Sequence, residues 1–209
     1  MAVCYVVGAG ECDSLPIKKQ DGDMIISADG GAKYLKKFGL TADIFIGDFD
    51  SLGSIPEGDN VIRLKPEKDV TDMYAAVCEG IANGFSEFEI FGATGGRLDH
   101  TVANIQLAAS LADKGLKHLI HGNGYSIVAL KNSFITFDAS FSGYISVFSH
   151  SDVCMGVSIE GLKYELSDAR LTNTFTLGVS NEFIGKESKI SVEKGTLVII
   201  YTDRKGELK

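Results

Sequence analysis

The carboxylates of Ala28-Asp29-Gly30-Gly31, Gly47-Asp48-Phe49-Asp50-Ser51 and Lys68-Asp69-Val70-Thr71-Asp72 are the groups in this sequence best suited to chemistry. A glycine-rich arginine loop follows them, Gly92-Ala93-Thr94-Gly95-Gly96-Arg97-Leu98-Asp99-His100. Crowded carboxylates repel: two of them about 4 Å apart repel by roughly 4 kcal/mol at an effective dielectric near 20. A bound cation offsets that cost. Hard oxygen ligands beside a cationic, glycine-rich loop point to magnesium-assisted phosphoryl transfer.

Asp48 and Asp50 are two residues apart, so an extended backbone projects both to one side. They suit Mg²⁺, which takes one or two carboxylates and keeps water or phosphate oxygens. The alternative is an ordinary acidic turn. Asp69 and Asp72 are spaced as a capping box, with Asp69 as cap and Asp72 at the third helical position. Asp72 is also the better metal candidate of the two, because a helix start can hold it toward a site. Asp29 precedes Gly30 and Gly31, which let backbone approach a ligand and lead into a helix with free N–H groups. The same residues could make a plain strand–turn–helix corner.

Gly92–Gly96 ahead of a helix is a second phosphate cradle, and Arg97 brings a fixed cation to it. Its competing role is a structural bridge to Asp99 or a rim carboxylate. Asp99 and His100 are candidate caps of that helix, with His100 a hydrogen-bonding group rather than a base. His118 and His121 fall on opposite faces of a strand and read as structural. Lys65 and Lys68 add positive charge near the rim or are simply solvated. GxxxxGK[ST] and GxGxxG are absent, and the first strand ends in Gly8-Ala9-Gly10 rather than DxDxT.

The elements that must position these groups alternate. Apolar runs of strand length lie at Val3–Val7, Met24–Ser27, Asp43–Ile46, Val61–Leu64 and Phe88–Phe91. Helical patterns lie at Ala32–Phe38, with Gly39 as its terminator, at Met73–Ile81, and at Leu98–Lys114, where Val102, Ile105, Ala109 and Ala112 share a face. This order predicts an α/β domain with a mainly parallel sheet flanked by helices. Ligands of such sheets bind beyond the carboxyl ends of the strands, so the motifs should share one rim.

From Tyr125 onward the helical pattern stops. Short β-prone runs follow at Ser126–Leu130, Phe134–Phe137, Tyr144–Phe148, Met155–Ile159, Phe175–Val179, Lys189–Val192 and Thr196–Tyr201. They predict an all-β sandwich. The expected domains are 1–123 and 124–209.

Composition limits the partners. With 209 residues, 44% of them hydrophobic, the chain can bury a core, and its formal charge of −8 opposes a general nucleic-acid or anionic-membrane binder. Cys4, Cys12, Cys78 and Cys154 form no CxxC pair and are expected to be buried reduced thiols of a cytoplasmic protein. The N-terminus lacks the basic flank and apolar length of a signal peptide, and no run is long enough to span a membrane.

In order and spacing, ADGG (28–31), GDFDS (47–51), KDVTD (68–72) and GATGGRLDH (92–100) resemble the thiamine pyrophosphokinase family. Gly161-Leu162-Lys163-Tyr164 and Gly178-Val179-Ser180-Asn181-Glu182-Phe183 resemble that family's thiamine-side motifs. The resemblance implies an α/β catalytic domain, a β-sandwich domain and a homodimer. It implies diphosphoryl transfer from ATP to thiamine, giving thiamine diphosphate and AMP. Asp48, Asp50 and Asp72 would hold Mg²⁺, with Asp29 and Asp69 completing the acidic site. Thr94, Gly95, Gly96, Arg97 and His100, with Gly30 and Gly31, would serve the nucleotide, and Asp99 or Asp72 would take the hydroxyl proton. Ser180, Asn181 and Phe183 would reach thiamine near a partner subunit. Some members place a tryptophan at the thiamine ring. This chain has none, which leaves Phe183 or Tyr164 as the stacking surface. A metal-dependent hydrolase, a γ-phosphoryl kinase and a non-catalytic ligand sensor are the rival readings.

Overall fold

The computed structural model describes residues 2–49, 60–65, 67 and 69–202. The chain divides into two compact units, Met1–Asn104 with Leu116–Asn123, and Ile105–Gly115 with Gly124–Lys209.

In the first unit, β1 (Cys4–Val7), β2 (Met24–Ala28), β3 (Ile44–Gly47), β4 (Val61–Arg63), β5 (Glu87–Phe91) and β6 (Lys117–His121) lie in the order β6-β5-β1-β2-β3-β4. Every neighbouring pair is parallel. All four residues of β1 are buried, as continuous apolar strands covered on both faces require. Alternation sorts the two faces. Tyr5 and Val7 join Ile25, Leu35 and Phe91 in one core cluster. This is the face covered by α1 (Gly31–Lys37). Cys4 and Phe88 pack instead against Gly80 of α2 (Asp72–Ala82). Burial pushes the Cys4 thiol up to about 12, so it stays protonated and inert. Cys12 and Cys154 are buried free thiols too, but Cys78 is exposed on α2, contrary to expectation.

The helix ends show local chemistry. After α1, Gly39 takes φ +71. Its N–H donates to Lys36 O at 3.3 Å, and the Leu40 N–H to Leu35 O at 2.9 Å. This is the doubly bonded left-handed stop that glycine favours. At the start of α2 the expected Asp69–Asp72 capping box is not what forms. Thr71 is the cap, with extended backbone, and its Oγ1 accepts from the Tyr74 N–H at 3.1 Å. Asp72 is then the first helical residue, where its charge suits the helix dipole. Thr71→Ala should lower stability by about 1 kcal/mol, read as a shifted urea midpoint, with Thr71→Ser near wild type.

The third helix, α3 (Leu98–Asp113), begins where predicted, but its expected face is buried only in part: Ala109 is buried, and Ile105 and Ala112 are half-buried. Asn104, Leu107, Ala108, Ala109 and Leu111 are buried, while Val102 is 48% exposed.

The second unit contains only strands beyond its share of α3, among the described residues. β7 (Tyr125–Lys131), β9 (Tyr144–Ser149), β12 (Gly178–Glu182) and β14 (Thr196–Thr202) pair in the order β12-β9-β14-β7. β8 (Phe134–Phe137), β10 (Val153–Glu160), β11 (Leu166–Thr172) and β13 (Ser188–Ser191) pair in the order β11-β10-β13-β8. All of these pairings are antiparallel. Phe137 meets Tyr201 edge-on at 5.0 Å between centroids and Phe183 at 5.4 Å. Strand β11 was not anticipated, because its Ser-Asp-Ala-Arg segment is polar and Asp168 bulges it at φ 48. The run predicted at Phe175–Val179 starts as exposed loop, and its strand begins only at Gly178.

Candidate active site

Main-chain contacts build the rim before any side chain does. The Gly8 N–H donates to Phe91 O, the Gly10 N–H to Gly92 O and the Glu11 N–H to Thr94 O, each at 2.8 Å. These bonds continue the β1–β5 pairing past the strand ends. A Cβ on Gly10 would stand 2.5 Å from Thr94 O and 2.7 Å from Gly92 O, so only glycine lets the two segments approach. Asn104, buried on α3, fixes the same segment by donating from Nδ2 to Ala93 O at 2.6 Å.

Beyond this rim lies a cavity of about 360 Å³ in the first unit. Its lining brings together Asp29, Asp72, Gly95, Gly96, Arg97 and His100, with Gly8–Gly10 beneath them. Thr71, Met73 and Asn104, which the sequence reading did not select, also line it. A polar residue at the core spacing of Asn104, Ala108 and Leu111 was the available signal for one of these. The other expected residues fall outside the lining. Gly30 and Gly31 are buried at the start of α1, and Thr94 is buried with its carbonyl engaged by Glu11. Asp48 is half-buried after β3, and Asp69 is exposed ahead of Thr71. Asp50 and Lys68 lie outside the described residues.

Asp29 sits where β2 and β3 end side by side. Its N–H donates to Ile46 O at 2.7 Å, and its backbone adopts φ 44. Phe49, between Asp48 and Asp50, adopts φ 60. Left-handed backbone at residues with side chains costs on the order of 1–3 kcal/mol and concentrates at functional sites. Arg97 meets Asp99 through Nη2–Oδ2 at 2.5 Å and Nε–Oδ1 at 3.2 Å, with side chains 71% and 64% exposed. The hydrogen bond from Arg97 holds the Asp99 carboxyl below its usual range, which weakens it as a proton acceptor. Asp99 lies in the first turn of α3. His118 is buried, takes a structural hydrogen bond with Leu116 O at 3.0 Å, and is pushed down by desolvation. His121 stacks on Phe91 at 4.3 Å.

Among the described residues no group of three His, Cys, Asp or Glu side chains could hold an ion. Asp29 and Asp72, both carriers of hard carboxylate oxygens, line one cavity. Mg²⁺ draws one or two carboxylates and completes its shell with water and phosphate oxygens, so these residues fit an ion that arrives with a polyphosphate.

In the second unit, Ser180 is exposed at φ 61 and its N–H donates to Ser146 Oγ at 3.1 Å. Asn181 is buried; Oδ1 accepts from Tyr164 N at 3.0 Å and Glu182 N at 2.9 Å, and Nδ2 donates to Tyr164 O at 2.6 Å. Phe183 belongs to the aromatic group of Phe137 and Phe141. Tyr164 is 59% exposed, with Lys163 Nζ 5.5 Å from its ring centre.

Two family models match the chain. The one described as thiamin pyrophosphokinase, catalytic domain, covers residues 18–120. The one described as thiamin pyrophosphokinase, vitamin B1 binding domain, covers residues 132–197. The thiamine pyrophosphokinase of Bacillus subtilis (strain 168) is 30% identical over 183 residues, 84% of this chain and 85% of that protein. The chain belongs to the thiamine pyrophosphokinase family. Solved thiamine pyrophosphokinases share the fold. The Bacillus subtilis structure superposes with a TM-score of 0.84 at 26% identity, covering 99% of this chain and 100% of its own. The Geobacillus thermodenitrificans structure gives 0.81 at 26% identity, covering 96% and 97%. The Candida albicans enzyme, at 15% identity, keeps the fold with a TM-score of 0.78 over 97% of this chain and 89% of its own.

Proposed function

We propose that this chain is a thiamine pyrophosphokinase that transfers a diphosphoryl group from ATP to the thiamine hydroxyl. The observation that carries the reading is one cavity lined by Asp29, Asp72 and Arg97, three residues of the segment matched by the catalytic-domain family. The hydroxyl oxygen of thiamine forms a bond to the β-phosphorus. The bond from that phosphorus to the oxygen on the α-phosphate breaks, and its electron pair leaves with AMP. The hydroxyl proton passes to an acidic residue of this unit, for which Asp72 and Asp99 are the candidates.

Positioning and electrostatics do most of the work in such reactions. The Gly95 N–H and the Arg97 guanidinium serve phosphate oxygens, while the main-chain rim fixes their spacing. Asp29 and Asp72 would hold Mg²⁺ with the nucleotide, and Asp48 and Asp50 are the further candidates after β3. That ion supplies neutralisation of phosphate charge. Ser180, Asn181, Phe183 and Tyr164 serve thiamine, and the same reading has two chains working as a cytoplasmic homodimer. No helix among the described residues is long and apolar enough to cross a membrane.

Product analysis tests the reading. Incubation with ATP, thiamine and Mg²⁺ should give thiamine diphosphate and AMP in equal amounts. ADP or free phosphate would instead establish γ-phosphoryl transfer or hydrolysis, and tight binding without product would leave a sensor. Arg97→Ala should lower kcat/KM for ATP by roughly a hundredfold, the scale of losing one preorganised donor to developing negative charge. Its urea midpoint should not move, because an exposed ion pair contributes little to folding.

A further inference from the structure

We propose that Glu11 is a positioning residue for the nucleotide phosphates, acting through the glycine turn ahead of Arg97; this rests on the reading that the cavity takes ATP. Glu11 does not line the cavity. It grips the turn that does. Its N–H donates to Thr94 O at 2.8 Å, and its Oε1 accepts from the Gly96 N–H at 3.3 Å. The side chain crosses directly over Gly95: a Cβ there would stand 2.5 Å from Glu11 Cδ, 2.6 Å from Cγ and 2.7 Å from Cβ. Gly95 thus leaves the space that Glu11 fills.

The turn needs such a grip. Gly95 and Gly96 take φ +79 and +62 in succession. Glycine loses more backbone freedom on ordering than any other residue, so two in a row make a turn that is costly to hold in one shape. Glu11 is 85 residues away in sequence from Gly96, and it ties the turn to the end of β1. A carboxylate near a polyphosphate also repels it. The contribution to binding must therefore come from acceptor geometry rather than from charge.

The amide and alanine variants separate these effects. Glu11→Gln keeps an oxygen acceptor of the same length and removes the charge; Glu11→Ala removes both. In the ligand-free protein, the Gly96 amide should exchange with deuterium about tenfold faster in Glu11→Ala than in wild type, and at the wild-type rate in Glu11→Gln. The Kd and KM for ATP should rise about tenfold in Glu11→Ala with kcat and the KM for thiamine within twofold, while Glu11→Gln binds ATP at least as well as wild type. Unchanged exchange at Gly96 in Glu11→Ala overturns the proposal. So does equal or tighter ATP binding by Glu11→Ala, which would make Glu11 an obstruction. Loss in Glu11→Gln equal to that in Glu11→Ala would make the charge itself the active feature. If the wild-type chain neither binds ATP nor releases AMP, the functional reading and the phosphate role fall together, and the exchange arm still shows whether Glu11 holds the turn.

Discussion

Asp72→Asn is expected to lower kcat by at least a hundredfold, equivalent to about 2.7 kcal/mol of transition-state stabilisation. Asp72 lines the cavity with Asp29 and Arg97 from the first position of α2. Thr71, one residue earlier, supplies the cap. Folding and chemistry are therefore divided between adjacent residues. Asparagine preserves the size of the side chain and leaves the cap intact, and the charge–dipole effect lost at the helix start is about 0.3–1 kcal/mol. Steady-state turnover at saturating ATP, thiamine and Mg²⁺, measured beside a urea titration, separates the two. Near-normal turnover would remove Asp72 from the chemistry; a collapsed urea midpoint would make it a folding residue. Thr71→Ala should show the reverse pattern, with a modest loss of stability and little loss of kcat.

Gly31→Ala should produce the largest loss of stability, at least about 3 kcal/mol, at the upper end of what overpacking usually costs. The added Cβ would lie 1.9 Å from Val7 O, 2.6 Å from Val7 C and 3.2 Å from Gly8 N. All three are backbone atoms of the rim segment, so no rotamer change relieves the clash. Either α1 moves off the end of β1 or the β1–β2 register gives way. The missing side chain of Gly31 is what lets a helix start come against a strand end. Chemical denaturation checks the magnitude, and an unshifted midpoint would show that α1 relocates freely. Weakened ATP binding should accompany the unfolding loss, because Gly8 and Gly10 continue from the segment that is hit.

These residues also mark how far the sequence could be read. The five strand-forming runs of the first half and the arginine loop were visible because burial on both faces leaves continuous apolar strings, and glycine marks their ends. Asp29, Asp72 and Arg97 stood out because charge in such places is costly. Roles decided by distant neighbours were hidden. The Asn104 contact with Ala93 depends on how a helix settles on its preceding loop, and the hold of Glu11 on Gly96 spans 85 residues. Thr71 was passed over because three acidic or hydroxyl candidates crowd one helix start, and backbone geometry selects among them. The polar composition of β11 hid it, since pairing partners rather than side-chain preference made it a strand.

The hydrogen bonds joining Gly8–Glu11 to Phe91–Thr94 use peptide groups alone. Their donors and acceptors survive most codon changes, whereas Gly8 and Gly10 must stay small. The floor of this cavity is thus a fixed chassis, indifferent to the identity of most side chains around it. A directed-evolution campaign could randomise the acceptor side toward other primary alcohols without rebuilding the donor side. Screening such libraries for AMP release would read out new acceptors on an inherited phosphate platform.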